Sequence, residues 1–207
     1  MQKGRLELGV VVLAAGAGSR FGGEAGGKLL ADLEGRPLLS HVLAAVADYG
    51  PEETVVVVGA DAGRIEAAIE WSDQQRVRNP RPERGLASSL AIGLDALERD
   101  GPLDGAFVVL GDQPRLHPGV MRTLADAAAV ARPADRVCVV PRYESQRGPR
   151  NPVLLLRPAW ALASELEGDR GLAGLIDANP DQVLYVDVEG DMPDVDTPDD
   201  LERLSRP

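Results

Sequence analysis

Leu8–Leu30 reads LGVVVLAAGAGSRFGGEAGGKLL, and its first eight residues, Leu8–Ala15, form an unbroken apolar run. A half-exposed strand alternates apolar and polar residues. A run without alternation, bounded by glycine, marks a strand covered on both faces, as in parallel sheets. The loop that leaves this strand is rich in glycine, which has no Cβ to keep backbone N–H groups from a phosphate. Arg20 and Lys28 add two cations to the same loop, a combination suited to a polyphosphate. In open α/β sheets, ligands bind at this edge, beyond the carboxyl ends of the strands.

Beyond the loop, apolar residues fall at helical spacing in Arg36–Ala47. Thr54–Val58 repeats the buried-strand pattern and is followed by a helix over Ala62–Glu70 and a short strand at Gln75–Arg78. Leu86, Leu90, Leu94 and Leu97 share one helical face. Ala106–Leu110 is a third buried strand and Gly119–Val130 a further helix; Val137–Val140 and Val153–Leu156 are apolar runs. A helix around Ala159–Leu166, a strand at Val183–Val188 and a helix over Pro198–Leu204 close the chain. Strands alternating with helices of about ten residues give an α/β class with a mainly parallel sheet. The stretch from Arg142 to Pro152 reads as an irregular or hairpin excursion. With no repeat, low-complexity tract or linker, residues 1–207 are expected to form one domain.

The chain has 207 residues with 33 acids against 22 bases, a net charge of −11, and only 3% aromatics. It lacks the basic footprint and stacking platform of a nucleic-acid binder. The lone Cys138 excludes a disulfide framework, and His41 and His117 cannot make a multi-histidine metal site. No apolar run approaches the ~20 residues that span a bilayer. Lys3 and Arg5 before an apolar run imitate a signal peptide, but Glu7 interrupts it, so a cytoplasmic location is expected. The charge is uneven: Asp181–Pro207 holds nine acids against two arginines.

Three readings of the glycine-rich loop compete. A dinucleotide fingerprint needs a third glycine where Phe21 stands, and an acidic residue far earlier than Asp61. A Walker A loop fits Gly22, Gly27 and Lys28, but Leu29 stands where Mg²⁺ needs Ser or Thr, and no helix opens cleanly there. The pattern L-A-A-G-x-G-x-R-F-G-G followed by Lys, a nucleotidyltransferase loop, fits best. Asp112, in Gly111-Asp112-Gln113-Pro114, follows a buried strand and is placed to hold Mg²⁺ against nucleotide phosphates. Farther on, Thr197, Pro198 and Asp200 read as a helix start of capping-box type. That leaves Asp194 and Asp196 as candidates for a second metal ligand, with Asp196 preferred.

LAAGAGSRFGG with Lys28, RPLLSHVL, RGLASSLAIGL, GDQP and DVDTPDDL follow one another in the order seen in MobA-like nucleotidyltransferases. The chain resembles that family over nearly its whole length, and most of all its molybdenum cofactor cytidylyltransferases, the MocA type. The resemblance implies a Rossmann-like three-layer sandwich and Mg²⁺-dependent transfer of CMP from CTP onto the phosphate of molybdopterin, with pyrophosphate released. It implies that Leu13, Ala14, Ala15, Gly16 and Gly18 contact base and phosphates, as Ser88 and Ser89 line the nucleotide pocket. Arg20 and Lys28 would neutralise the triphosphate, and Asp112 and Asp196 would hold the metal. Ala15 points to cytidylyl transfer, since guanylyl relatives typically read LAGG where this chain reads LAAG. The chain departs from the family in a longer spacing between Arg20 and Lys28, and in Asn151-Pro152 where many members carry His-Pro.

In-line transfer needs positioning and positive charge rather than a covalent nucleophile, which suits a chain whose one cysteine lies in an apolar strand pattern. Arg142, Arg147, Arg150 and Arg157 surround the irregular excursion as candidate contacts for the acceptor. The rival readings are a guanylyltransferase or sugar-1-phosphate nucleotidyltransferase of the same fold, and a non-catalytic module delivering molybdopterin to a molybdoenzyme partner.

Overall fold

The computed structural model describes residues 5–16, 27–131, 137–144 and 151–205. Its centre is a seven-stranded sheet. Strands β1 (Leu8–Ala14), β4 (Glu53–Val58), β5 (Gln75–Arg78) and β6 (Gly105–Leu110) lie in the order β5-β4-β1-β6, all parallel. The sheet continues through β8 (Val153–Leu156), β7 (Cys138–Tyr143) and β9 (Val183–Val188). Only β8 is reversed: it is antiparallel to both β6 and β7, while β7 and β9 are parallel. The excursion from Arg142 to Pro152 thus joins two antiparallel strands, as its hairpin reading requires.

The unbroken apolar runs are explained by layers on both faces. Along β1, Val10, Val12 and Ala14 enter one core with Leu39, Val42 and Val46 of α2 (Leu38–Tyr49), Ile65 of α3 (Ala62–Ala68) and Met121 and Leu124 of α5 (Pro118–Ala131). Val11, Leu13 and Ala15 enter the other with Leu90, Leu94 and Leu97 of α4 (Leu86–Asp100). Trp160 of α6 (Trp160–Ser164) and Leu175 and Ile176 of α7 (Gly171–Ala178) join that second core. Strand side chains alternate faces, so a strand roofed twice is apolar at every position. Gly93 lets α4 lie directly on β1, where a Cβ would stand 2.3 Å from Val11 Cγ1.

Several elements differ from the expectations. A short helix, α1 (Gly27–Leu30), does open at Gly27, one residue before Lys28. A two-residue-turn hairpin, β2 (Asp32–Leu33) with β3 (Arg36–Pro37), precedes α2; its turn residues Glu34 and Gly35 both have positive φ, as a type I′ turn needs. The helix expected around Ala159–Leu166 is a 3-10 turn followed by the five residues of α6. Helix α7 lies where no helix was expected, although Leu172, Leu175 and Ile176 have helical spacing. Strand β7 runs on to Tyr143. The closing helix, α8, spans Pro198–Ser205. No helix among the described residues is long and apolar enough to cross a membrane.

Candidate functional site

Strand β1 sends its connection toward β4 on one side, while α4 carries the chain back across to β6 on the other. Adjacent strands β1 and β6 therefore flank the reversal in strand order, where open α/β sheets leave a crevice beyond the carboxyl ends. A cleft of about 480 Å³ lies there. Leu13, Ala14, Ala15 and Gly16 leave β1 along it; Leu110 and Asp112 leave β6. The Gly111 N–H donates to Leu13 O at 2.9 Å, prolonging the β1–β6 ladder by one residue and setting Asp112 beside the exit of β1.

Three distant parts of the sequence meet at this edge. Lys28 of α1 donates from Nζ to Asp112 Oδ2 and to Asp196 Oδ1, each at 2.7 Å. The lysine is only 9% exposed. Burial pulls its pKa down, but the charges and hydrogen bonds of Asp112 and Asp196 outweigh it and hold the pKa above the usual lysine value. Asp196 is set by the turn behind it. The Asp196 and Thr197 N–H groups donate to Asp200 Oδ2 at 3.0 and 2.7 Å, and the Asp200 N–H returns to Thr197 Oγ1 at 3.2 Å. That is the reciprocal cap expected at the start of α8, and it pulls the Asp200 carboxyl below its ordinary range, the Thr197 hydroxyl contributing most. Asp194 takes another partner: buried Gln113 donates from Nε2 to its Oδ1 at 2.6 Å. Burial raises the Asp194 pKa against that hydrogen bond, and the charges of Asp112 and Asp196 push it the same way.

The donors suit a hard cation. Asp112 Oδ1 is buried and lacks a hydrogen-bond partner among the described residues. No group of three or more His, Cys, Asp or Glu side chains among those residues encloses a metal. Two carboxylates at the rim of an open cleft match Mg²⁺, which keeps water and substrate phosphate among its ligands instead of entering an all-protein cage.

The rest of the cleft wall comes from the turn before α4 and from a glycine-flanked stretch before α7. Gly85 has φ +89°, and a Cβ there would stand 2.5 Å from Gly168 C and 2.6 Å from Asp169 Oδ1. Pro82, Glu83 and Asp169 complete that wall. The two serines separate: Ser89 is buried and lines the cleft, whereas Ser88 Oγ donates back to Gly85 O at 2.9 Å. Both accept from Asn79 Nδ2 at 2.9 Å, and Asn79 Oδ1 accepts from the Arg81 N–H.

Gly18 and Arg20, and likewise Arg147 and Arg150, lie outside the described residues. The other two arginines of the basic stretch part company. Arg142 pairs with Asp187 at 3.4 Å near the carboxyl edge, whereas Arg157 follows the end of β8 that pairs with Gly105, at the amino edge of the sheet. His117 Nδ1 accepts from the Gly119 N–H. Sequence reading missed Gln113, Asn79 and Asp169. Gln113 stood inside a motif already singled out, Asp169 lies in the turn signal Gly168–Gly171, and nothing local announces the buried amide of Asn79.

The profile of the MobA-like NTP transferase domain matches residues 10–183. Rv0371c of Mycobacterium tuberculosis is 29% identical and superposes with a TM-score of 0.82 over 96% of this chain and 98% of its own. A manganese complex of the same protein superposes at 0.78, covering 96% and 97% at 28% identity. A nucleotidyl transferase from Methanothermobacter, 28% identical, superposes at 0.76 over 98% and 97% of the two chains. The bifunctional protein GlmU of Bordetella petrii is 35% identical over 120 residues, 58% of this chain but only 26% of GlmU. The matched segment thus spans about a quarter of these curated relatives.

Proposed function

The chain belongs to the MobA-like NTP transferase family, a family of nucleotidyltransferase enzymes, and from that premise we propose that it transfers CMP from CTP to the phosphate of molybdopterin. The observation that carries this reading is the meeting of Asp112 and Asp196 at Lys28, in a cleft beyond the switch point of the sheet. An acceptor phosphate oxygen attacks the α-phosphorus in line. The new P–O bond forms as the bond to the β-phosphate's bridging oxygen breaks, and pyrophosphate leaves with that electron pair.

Each residue has a task in this reading. Leu13–Gly16 and Gly18 carry base and phosphates on their backbone, and Ser89 faces the same cleft. Arg20 and Lys28 balance the triphosphate charge, and Asp112 and Asp196 hold Mg²⁺. When bound, the metal supplies positive charge to the phosphates and reduces the repulsion met by an anionic acceptor. That the similar protein Rv0371c forms a complex with manganese supports the use of a divalent ion. Cys138 is buried in the core, and burial pushes its thiol up to about 12, which removes it as a nucleophile at neutral pH. The choice of cytosine rests on Ala15, whose methyl occupies space that LAGG sequences leave open. Arg142, Arg147 and Arg150 are the candidate contacts for the acceptor, and a molybdoenzyme is the candidate receiver of product.

Pyrophosphate release, measured with each of the four NTPs and with molybdopterin or a sugar 1-phosphate as acceptor, tests the assignment. CTP with molybdopterin is expected to turn over fastest. Faster turnover with GTP or with the sugar phosphate would overturn the cytidylyl reading, and no release with any pair would leave the delivery module.

A further inference from the structure

We propose that Lys28 is a resident counter-cation for the metal-binding carboxylates, so that a divalent ion settles at Asp112 and Asp196 only when a triphosphate draws the lysine away. The inference rests on the reading of those two aspartates as metal ligands. The lysine ammonium stands 2.7 Å from one oxygen of each carboxylate. A Mg²⁺ ion takes its oxygens at about 2.0–2.1 Å. An ion bound to these same two oxygens would stand beside Nζ, and next to a lysine side chain only 11% exposed the repulsion between the two cations is poorly screened. The lysine and the metal therefore occupy the pair in alternation.

The same geometry shows why the lysine can be displaced. The Lys28 ammonium reaches one oxygen of Asp112, while the other, Oδ1, stays buried without a hydrogen-bond partner among the described residues. Lys28 thus keeps the two side chains converging while leaving that oxygen of Asp112 unsatisfied among the described residues. Its side chain is 11% exposed, so the ammonium cannot simply withdraw into water. It needs another anion within reach, and a triphosphate lying along the cleft that Lys28 lines provides one. Metal and nucleotide then favour each other's binding, by the same factor in both directions.

Mn²⁺ binding to the full chain, followed by the electron paramagnetic resonance signal of the free ion, tests this without turnover and without knowledge of the acceptor. Lys28→Met and Lys28→Gln should bind Mn²⁺ alone at least tenfold tighter than the unaltered protein, while Lys28→Arg, which keeps the charge, should not. Neutral variants that bind Mn²⁺ no tighter would overturn the proposal. In the Lys28→Met background, Asp112→Asn should abolish the gain; Mn²⁺ affinity indifferent to Asp112→Asn would instead overturn the metal-ligand reading. A readout on the unaltered protein covers the case of neutral variants that do not fold. The Lys28 ammonium resonance, slowed in exchange by its two hydrogen bonds, should persist on titration with Mg²⁺ and shift only when α,β-methylene-CTP is added. Its loss to Mg²⁺ alone would contradict the proposal.

Discussion

The two edges of the sheet carry similar chemistry arranged for different ends. At the carboxyl edge Lys28 bridges Asp112 and Asp196; at the amino edge Arg157 pairs with Glu98 of α4 and stacks over the Trp160 ring, 4.4 Å from its centroid. Each edge also has one buried polar atom with no hydrogen-bond partner among the described residues, Asp112 Oδ1 and Arg157 Nη1. The surroundings distinguish them. The lysine group joins a short helix to loops beyond strand ends and faces a cleft, whereas Arg157, about one-third exposed, lies against Glu98 of α4 and the Trp160 ring. An ion pair at the edge of the sheet therefore points to chemistry only where it has room for a ligand.

The largest effect expected from this contrast is at Asp112. Asp112→Ala should lower metal-dependent turnover about 10³-fold, roughly 4 kcal/mol of transition-state stabilisation, with the circular-dichroism melt nearly unchanged. Undiminished turnover would remove the distinction between the edges. Asn79→Ala comes next: Ser88, Ser89 and the Arg81 N–H lose a buried partner, so urea unfolding should show a loss of about 1–3 kcal/mol. The KM for nucleotide should rise more than kcat falls, because the amide organises the turn before α4 rather than the reacting atoms. Arg157→Ala should cost about 1 kcal/mol or less, a partly exposed pair plus a ring contact, and should leave turnover unchanged; a drop in turnover would break the comparison from the other side.

The smallest effect concerns the cap behind Asp196. The folded-state pKa of Asp200 lies below its ordinary 3.8. Its contribution to stability is therefore present above that value and lost as pH falls through the lowered one. Thr197→Ala should move the Asp200 pKa upward in a carbon-13 NMR titration, and an unmoved value would show that the hydroxyl is not its chief cause.

How far these features were legible depended on whether their cause is local. Leu8–Ala15, Thr54–Val58 and Ala106–Leu110 announced buried strands because a doubly covered strand must be apolar throughout. The four leucines of α4 announced their face for a similar reason, and the Thr197–Asp200 cap is written in four adjacent residues. Helix α7 was hidden because eight residues between the turns at Gly168–Arg170 and Pro180–Gln182 give too short a periodic signal. The reversal of β8 was legible only as one of two readings of Arg142–Pro152, irregular or hairpin, because strand direction depends on pairing across the sheet. At the site, Asp112 and Asp196 were legible as acids freed from other duties. That both close on Lys28, from 84 and 168 residues away, depends on tertiary folding that no spacing encodes. Asn79 and Asp169 act across the turn at Gly85, and their roles emerge only when that approach is seen.

Following the label in CTP tests whether the cleft beyond β1 and β6 transfers a nucleotidyl group. With [α-³²P]CTP, Mg²⁺ and molybdopterin, the label should appear in the pterin product, while [γ-³²P]CTP should place its label only in pyrophosphate. Label from the γ-position in the pterin, or none from the α-position, would contradict the account.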